Sequence, residues 1–132
     1  MRRSVLDSYA ILAFLFHEAG YEKVTGLFEK AAQADQDALI AAPNWAEVRY
    51  VVERKVGAAV WRETRHKLWG LPLEVIAADL SLAELAGEIK ATRKMSLADC
   101  FAAALAKQRK ADLYTGDPEF RAVETDVEII WL

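Results

Sequence analysis

The chain has few residues of the kinds that form covalent or metal cross-links. Cys100 is the only cysteine among its 132 residues. An intrachain disulfide is therefore impossible, and a zinc site built from thiolates would lack its other ligands. The two histidines, His17 and His66, belong to no recognisable metal-ligand or catalytic spacing. These absences exclude a disulfide-stabilised scaffold and fit a reducing compartment.

An excess of positive charge is also missing. The 17 Lys and Arg residues are outnumbered by 20 Asp and Glu residues, which gives a net charge of -3 and an isoelectric point near 5.4. No global basic field therefore attracts the chain to nucleic acid or to an anionic membrane, which argues against a simple nucleic-acid-binding module. A nuclease remains compatible with this charge, because bound metal and a few local cations can supply positive charge at the site.

Long apolar runs and linkers are absent as well. The apolar segment after Arg2 and Arg3 is interrupted at Asp7, which is too early for the core of a signal peptide. No stretch approaches the roughly 20 apolar residues of a membrane span, and no segment rich in Pro, Gly or Ser divides the chain. We therefore expect a single domain over residues 1–132 that is cytoplasmic and not associated with a membrane.

Short apolar runs alternate with amphipathic helical patterns along the whole chain. Hydrophobic residues make up 54% of the composition, which is enough for a packed core. Strands are predicted at residues 5–6, 38–42, 71–76, 111–115 and 127–131, with helices between them. Repeated βα alternation predicts an α/β fold, a three-layer α/β/α sandwich with a central, mainly parallel sheet.

Four carboxylates are predicted to meet at one edge of this sheet. Asp7 directly follows the first strand, and Asp117 follows the fourth. Glu47 lies one turn into the helix after the second strand, and Asp99 lies in the first turn of a helix that a parallel crossover can bring to the same edge. Ligands of open parallel sheets gather at the carboxyl ends of the strands, where helix N-termini also point. The four acids can therefore converge although they are far apart in sequence.

Each of these acids also has a purely structural interpretation. The segments 44–47 (NWAE) and 96–99 (SLAD) resemble capping boxes, in which the third residue after the cap binds a backbone N–H. Asp117 followed by Pro118 resembles an N-cap with proline at the first helical position. Taken one at a time, the acids are explained better as helix caps than as ligands.

The combination of acids favours a site over four separate caps. Ser8, Asn44 and Ser96 offer neutral caps beside these acids, and a cap needs no second acid. If the four carboxylates meet, their mutual repulsion requires a compensating cation, and hard oxygen ligands suit Mg²⁺ or Mn²⁺. The residues thus predict an acidic site for a divalent metal.

Four segments, in order along the chain, resemble the motifs of a known family. They are VLDS at 5–8, PNWAEV at 43–48, SLADCFAAALA at 96–106 and YTGDPEF at 114–120. Together they resemble PIN domains, and in particular the VapC toxins of bacterial and archaeal type II toxin–antitoxin systems. The resemblance spans essentially the whole chain. It implies a Mg²⁺- or Mn²⁺-dependent endoribonuclease with RNA as substrate, a VapB-like antitoxin as partner, and a homodimer.

The same resemblance assigns roles to the four acids. Asp7, Glu47, Asp99 and Asp117 match the acidic tetrad of the family position by position. It implies that Asp7, Asp99 and Asp117 are metal ligands, and that Glu47 is a ligand or a base that orients water. All four are therefore expected to be catalytic.

Three neighbouring residues are expected to support the tetrad. Thr115 matches the hydroxyl residue that the family usually keeps beside its last acid, and Ser8 matches the one beside its first. Glu119 stands where many members have another Asp, and it is longer by one methylene. Cys100 occupies a position where a small residue such as alanine is usual, which affects packing more than chemistry.

Residues that would contact RNA are harder to identify. Isolated basic and aromatic side chains are usually solvated or packed, and this is the simpler interpretation here. The basic candidates near the acidic edge are Arg49, Arg54, Lys55, Arg93, Lys94 and Arg121, and the tryptophans are Trp45, Trp61, Trp69 and Trp131.

Two other interpretations remain open. One is a catalytically inactive PIN-like protein that binds an antitoxin or RNA, although the complete acidic set argues against it. The other is a phosphoryl-transfer domain of the receiver or haloacid dehalogenase kind, because these also place an Asp after the first strand. A haloacid dehalogenase would normally have a second Asp where this chain has Tyr9. A receiver needs an acid pair and a late lysine that have no recognisable counterparts in this sequence.

Overall fold

The computed structural model describes residues 2–132 as a five-stranded sheet between two layers of helices. Met1, the first residue of the predicted domain, lies outside the described residues. The strands are β1 (Ser4–Leu6), β2 (Ala38–Ala41), β3 (Leu73–Ile76), β4 (Asp112–Thr115) and β5 (Ile129–Trp131). The helices are α1 (Ser8–Phe16), α2 (Tyr21–Ala34), α3 (Ala42–Val56), α4 (Ala58–Trp69), α5 (Leu80–Thr92), α6 (Leu97–Arg109) and a 3₁₀ helix at Pro118–Val123.

All four strand pairings are parallel, in the order β3-β2-β1-β4-β5. The chain builds outward from β1 to β3, then returns to the other side of β1 to form β4 and β5. The strand order therefore reverses between β1 and β4, and such a reversal opens a crevice at the carboxyl ends of the strands. The predicted parallel α/β/α sandwich is confirmed.

The sheet is buried on both faces because its strands are apolar on both sides. Val5 and Leu39 pack into the hydrophobic cluster beneath α5 and α6, whereas Leu6 and Ile40 pack into the cluster beneath α1 to α4. Neighbouring residues of a strand point to opposite faces, so a continuous apolar run supplies both clusters. This arrangement explains why the strands show no polar alternation in the sequence.

The start of α3 differs from the sequence prediction. The helix begins at Ala42 rather than near Trp45, and Pro43 lies in its first turn, where a missing N–H costs nothing. Asn44 is consequently inside the helix and fully buried, and its Nδ2 donates to the Ala98 carbonyl on α6 (3.1 Å). The predicted capping box at residues 44–47 is therefore wrong, and Asn44 instead joins α3 to α6.

The second and fourth strands are one residue shorter than predicted, and the third and fifth are two residues shorter. The third begins at Leu73, after Pro72, and lies at one edge of the sheet, as expected for a strand preceded by proline. The fifth begins at Ile129 and forms the other edge. Within residues 2–132, no helix combines the length and the apolar character that crossing a membrane requires.

Candidate active site

An acidic cleft of about 510 Å³ lies at the carboxyl edge of the sheet, where α1, α3 and α6 begin. The structure places all four predicted acids in its wall. Thr115 is not in the wall itself, but it is fully buried and donates a hydrogen bond to Asp7. The residues that line the cleft are Asp7, Ser8, Tyr9, Leu12, Glu47, Ser96, Asp99, Asp117 and Glu119.

Asp7 is both the N-cap of α1 and a buried member of the cleft. It follows β1 in an extended conformation, and its side chain is only 1% exposed. Its Oδ1 accepts a hydrogen bond from the Ala10 N–H (2.8 Å), and its Oδ2 accepts one from Thr115 Oγ1 (2.5 Å). Ser8 was expected to be a neutral cap for this helix. That expectation is wrong, because Asp7 itself caps it.

The Thr115 hydroxyl connects the acids at the ends of two neighbouring strands. Thr115 ends β4, which pairs with β1. Its Oγ1 donates to Asp7 and accepts a hydrogen bond from the Asp117 N–H (3.0 Å). One side chain therefore fixes both the orientation of the Asp7 carboxylate and the path of the backbone that carries Asp117.

Asp99, Asp117 and Glu119 form the tightest group of acids in the cleft. One carboxylate oxygen from each lies within 4.8 Å of the others. Asp117 caps the 3₁₀ helix, as predicted, by accepting from the Glu119 N–H (2.9 Å). Ser96 caps α6 by accepting from the Asp99 N–H (3.2 Å). The cap of α6 thus uses the Asp99 backbone and leaves its carboxylate available to the cleft.

Glu47 enters the cleft from the second turn of α3. Ser8 Oγ donates to Glu47 Oε1 at 2.6 Å, across 39 residues of sequence. Ser8 is buried and Glu47 is half-buried. The hydroxyl of Ser8 therefore orients a catalytic candidate instead of capping a helix, and the second oxygen of Glu47 remains free.

Burial without positive charge raises the pKa of two of the acids. Loss of hydration is the main reason that the pKa of Asp7 rises to about 7, and repulsion from Asp117 and Glu47 adds to it. The pKa of Asp99 rises to about 8. Burial is the largest cause, and a hydrogen bond with the Glu119 carboxyl and repulsion from Asp117 and Asp7 raise the pKa further. The described residues that line the cleft include no Lys, Arg or His. The cleft therefore favours a cation.

The basic residues proposed to rim the acidic edge lie outside the cleft. None of the six, all of which the structure describes, lines it. Arg49 pairs with Glu53 at 3.2 Å, and Arg93 pairs with Asp126 at 3.0 Å. The described residues of the chain therefore place no cationic side chain in the cleft wall.

Ser96 lines the cleft although the sequence predicted it only as a helix cap, and two further residues of the cleft wall, Tyr9 and Leu12, were not predicted as site residues. Both belong to α1, and Tyr9 follows Asp7 by two residues. A residue in the first turn of a helix that opens at a site is placed by the helix itself, so this position was a usable signal. The sequence contained no comparable signal for the buried hydrogen bond of Asn44.

Comparisons with known proteins extend over nearly the whole chain. A structure of VapBC2 from Rickettsia felis bound to a promoter DNA fragment has a TM-score of 0.75 at 18% identity, covering 98% of both chains. VapBC-1 from nontypeable Haemophilus influenzae has a TM-score of 0.74 at 17% identity, covering 97% of this chain and 96% of that one. VapC20 of Mycobacterium tuberculosis, described as a sarcin-ricin-loop-cleaving toxin, has a TM-score of 0.67 at 17% identity, covering 91% and 94%. At these identities the likeness shows the fold.

A comparison with curated proteins finds no match. The family model of the PIN domain matches residues 4–125. This span includes both strands that flank the crevice and every acid of the cleft. The chain belongs to the PIN-domain family.

Proposed function

We propose that this chain is a Mg²⁺- or Mn²⁺-dependent endoribonuclease that hydrolyses RNA phosphodiester bonds, and that it acts as the toxin of a VapBC-type pair. The observation that carries the proposal is the cleft itself. Five carboxylates from four separate segments line it without a cation among them, and burial raises the pKa of two. A structure that places unpaired acids together at a cost in stability is expected to use them.

The donor set fits a hard divalent ion. Asp99, Asp117 and Glu119 present oxygens close enough together to share one ion, and carboxylate oxygens suit Mg²⁺ and Mn²⁺. Asp7 lies outside this group of mutually close oxygens, and we propose it as a further ligand because each of its oxygens keeps a lone pair beyond its present hydrogen bond. When bound, such an ion polarises the phosphate and offsets the negative charge that develops on it. We therefore propose Glu119 as a metal ligand, whereas the sequence predicted only a supporting role for it.

The residues of the chain supply the positioning and the proton transfer. Thr115 donates to one oxygen of the Asp7 carboxylate and so favours one orientation of it. Ser8 holds one oxygen of Glu47, so the other can accept the proton of the water that attacks phosphorus. As the new bond between phosphorus and oxygen forms, the bond to the leaving oxygen of the RNA backbone breaks. The leaving oxygen takes a proton from solvent water, and Glu47 releases its proton to solvent, so the carboxylate is regenerated.

A small antitoxin is the proposed protein partner. The described relatives include VapBC complexes, and a cleft lined by acids is complementary to a Lys or Arg side chain of a VapB-like partner. Such a side chain would compete with metal for the same carboxylates. A homodimer is part of the proposal as well, since large apolar side chains remain exposed, namely Leu80, Trp69 and Leu97. We propose a cytoplasmic location, where the lone Cys100 stays reduced.

The decisive experiment is RNA cleavage by the purified chain. A panel of cellular RNAs is incubated with Mg²⁺, Mn²⁺ or EDTA, and the wild type is compared with Asp99→Asn. We expect cleavage only with metal and only in the wild type. Asp79→Asn is the matched control, because Asp79 is an exposed cap at the start of α5. Cleavage that persists in EDTA contradicts the metal mechanism. Metal-independent RNA binding without turnover indicates the catalytically inactive alternative.

A further inference from the structure

Tyr9 is the only aromatic side chain among the described residues that line the cleft. It lies in the first turn of α1, two residues after Asp7. Its side chain is 43% exposed, although Asp7 and Ser8 beside it are buried. A large ring that stays open to solvent next to buried carboxylates has no role in the hydrophobic core.

The backbone at Gly116 supports this ring from one side. A Cβ atom on Gly116 would lie 2.3 Å from Cε1 and 2.6 Å from Cζ of Tyr9, so any side chain at this position would displace the ring. Gly116 does not have a positive φ, so its backbone conformation does not require glycine. The absence of a side chain at Gly116 lets the Tyr9 ring lie against the backbone between Thr115 and Asp117.

This arrangement leaves the solvent-facing part of the Tyr9 ring beside the acidic cleft. Every RNA base has a flat face that can stack on an aromatic ring, even where no hydrogen bond recognises the edge of the base. The cleft wall contains no cation that would hold the RNA backbone, so base stacking is a source of affinity that the carboxylates cannot supply. Bases in a duplex are already stacked on one another, and only an unpaired nucleotide can use the ring.

Building on the proposed ribonuclease function, we infer that Tyr9 stacks on an unpaired base next to the scissile phosphate. The ring binds and orients the nucleotide; it takes no part in the proton transfer.

The test combines variants of the protein with variants of the RNA. Tyr9→Phe keeps the ring, and Tyr9→Leu keeps apolar bulk without it. Tyr50→Leu is the matched control, because Tyr50 has a similar exposure (45%) and does not line the cleft. The substrate is a single-stranded RNA oligonucleotide that the wild type cleaves, together with copies that carry an abasic nucleotide at each position around the cut. Thermal unfolding verifies that each variant is folded.

We expect Tyr9→Leu to raise KM by about 5- to 100-fold with a smaller change in kcat, as the loss of one stacked base implies. Tyr9→Phe and Tyr50→Leu should retain the wild-type KM. One abasic position should raise the KM of the wild type by a similar factor and have no further effect in Tyr9→Leu. Equal damage from Phe and Leu overturns the inference, as does an abasic effect that persists in Tyr9→Leu. The inference is also overturned if no abasic position alters the KM of the wild type, and this outcome requires no variant of the protein.

Failure of the ribonuclease function is distinguished by a binding measurement. If the wild type cleaves no RNA, the proposed function fails. The same oligonucleotides, which then stay intact, are titrated by fluorescence anisotropy in Mg²⁺, which offsets the repulsion between the carboxylates and the RNA backbone. Affinity that falls in Tyr9→Leu and not in Tyr9→Phe supports stacking by itself. Equal affinity in the wild type and Tyr9→Leu overturns it.

Discussion

Two helices of this molecule, α1 and α5, begin with an aspartate in nearly the same local geometry. Asp7 accepts from the Ala10 N–H at 2.8 Å, and Asp79 accepts from the Leu82 N–H at 2.9 Å. Both residues have an extended backbone, and the side chain of each accepts a hydrogen bond from the N–H of the residue three positions later. Their surroundings differ. Asp79 is exposed, whereas Asp7 is 1% exposed and its second oxygen is held by Thr115.

Asp7 shows that a carboxylate that caps a helix can also be a buried member of a cleft. A cap uses one oxygen and a local N–H, and it leaves the other oxygen for distant partners. We therefore cannot separate an active-site acid from an ordinary cap by its local sequence. Burial and long-range hydrogen bonds make the difference, and both are properties of the fold.

The largest expected effect is the contrast in activity between Asp7→Asn and Asp79→Asn. Asparagine caps helices about as well as aspartate, so both variants should fold. Asp7→Asn removes a charge from the cleft and should lower kcat/KM for RNA by about 10³-fold or more, which corresponds to roughly 4 kcal/mol of barrier. Asp79→Asn should stay within about twofold. Steady-state cleavage assays measure both, and equal activity of the two variants would contradict a special role for Asp7.

A smaller effect is expected when the buried hydrogen bond to Asp7 is removed. Thr115→Val keeps the shape of the side chain and removes the hydroxyl, so the Asp7 carboxylate loses its fixed orientation. Residues that orient a metal ligand typically contribute about 10- to 100-fold to metal affinity or activity. We expect a loss of this size, measured by metal titration of the cleavage rate, and recovery in Thr115→Ser.

Thr25→Val is the matched control for this variant. The Thr25 hydroxyl donates to the Tyr21 carbonyl within α2 (3.0 Å) and has no link to the cleft. Its removal should leave metal dependence unchanged. A wild-type metal titration in Thr115→Val would refute the positioning role of that hydroxyl.

The smallest expected effect concerns stability without metal. Because the pKa of Asp99 rises from 3.8 in the unfolded chain to about 8 in the folded one, the folded state binds the extra proton between these values. Stability should therefore fall as the pH rises from about 4 to about 8. Asp99→Asn removes this loss. It should be more stable than the wild type by roughly 1–3 kcal/mol at pH 8 in EDTA. This range is smaller than the free energy equivalent to the whole pKa shift, because the cleft is partly solvated.

Chemical denaturation at pH 5 and pH 8 measures this difference. Asp79→Asn should show no such gain, because its carboxylate is already in water. Adding Mg²⁺ or Mn²⁺ should stabilise the wild type and not Asp99→Asn. A wild-type stability that rises with pH in EDTA would show that the acids of the cleft are not strained.

The patterns in the sequence were sufficient to predict the architecture and the starts of α6 and of the 3₁₀ helix. Apolar runs without polar alternation predicted a sheet buried on both faces, and the order of elements predicted its parallel arrangement. The caps at Ser96 and Asp117 were visible in the sequence, because a cap depends on residues only two or three positions away. The positions of the four predicted acids at strand and helix ends followed from the same pattern.

Which of these acids share a site, and what each one contacts, depends on the packing of remote segments. The hydrogen bond between Thr115 and Asp7 joins residues 108 positions apart in the sequence. The contact between the Tyr9 ring and Gly116 joins residues that are similarly far apart in the sequence. The correction at Asn44 has the same origin, because its partner lies on α6. Local patterns carry no information on such contacts. Burial by remote segments removes water from a carboxylate and shifts its pKa, and that physical change separates Asp7 from Asp79.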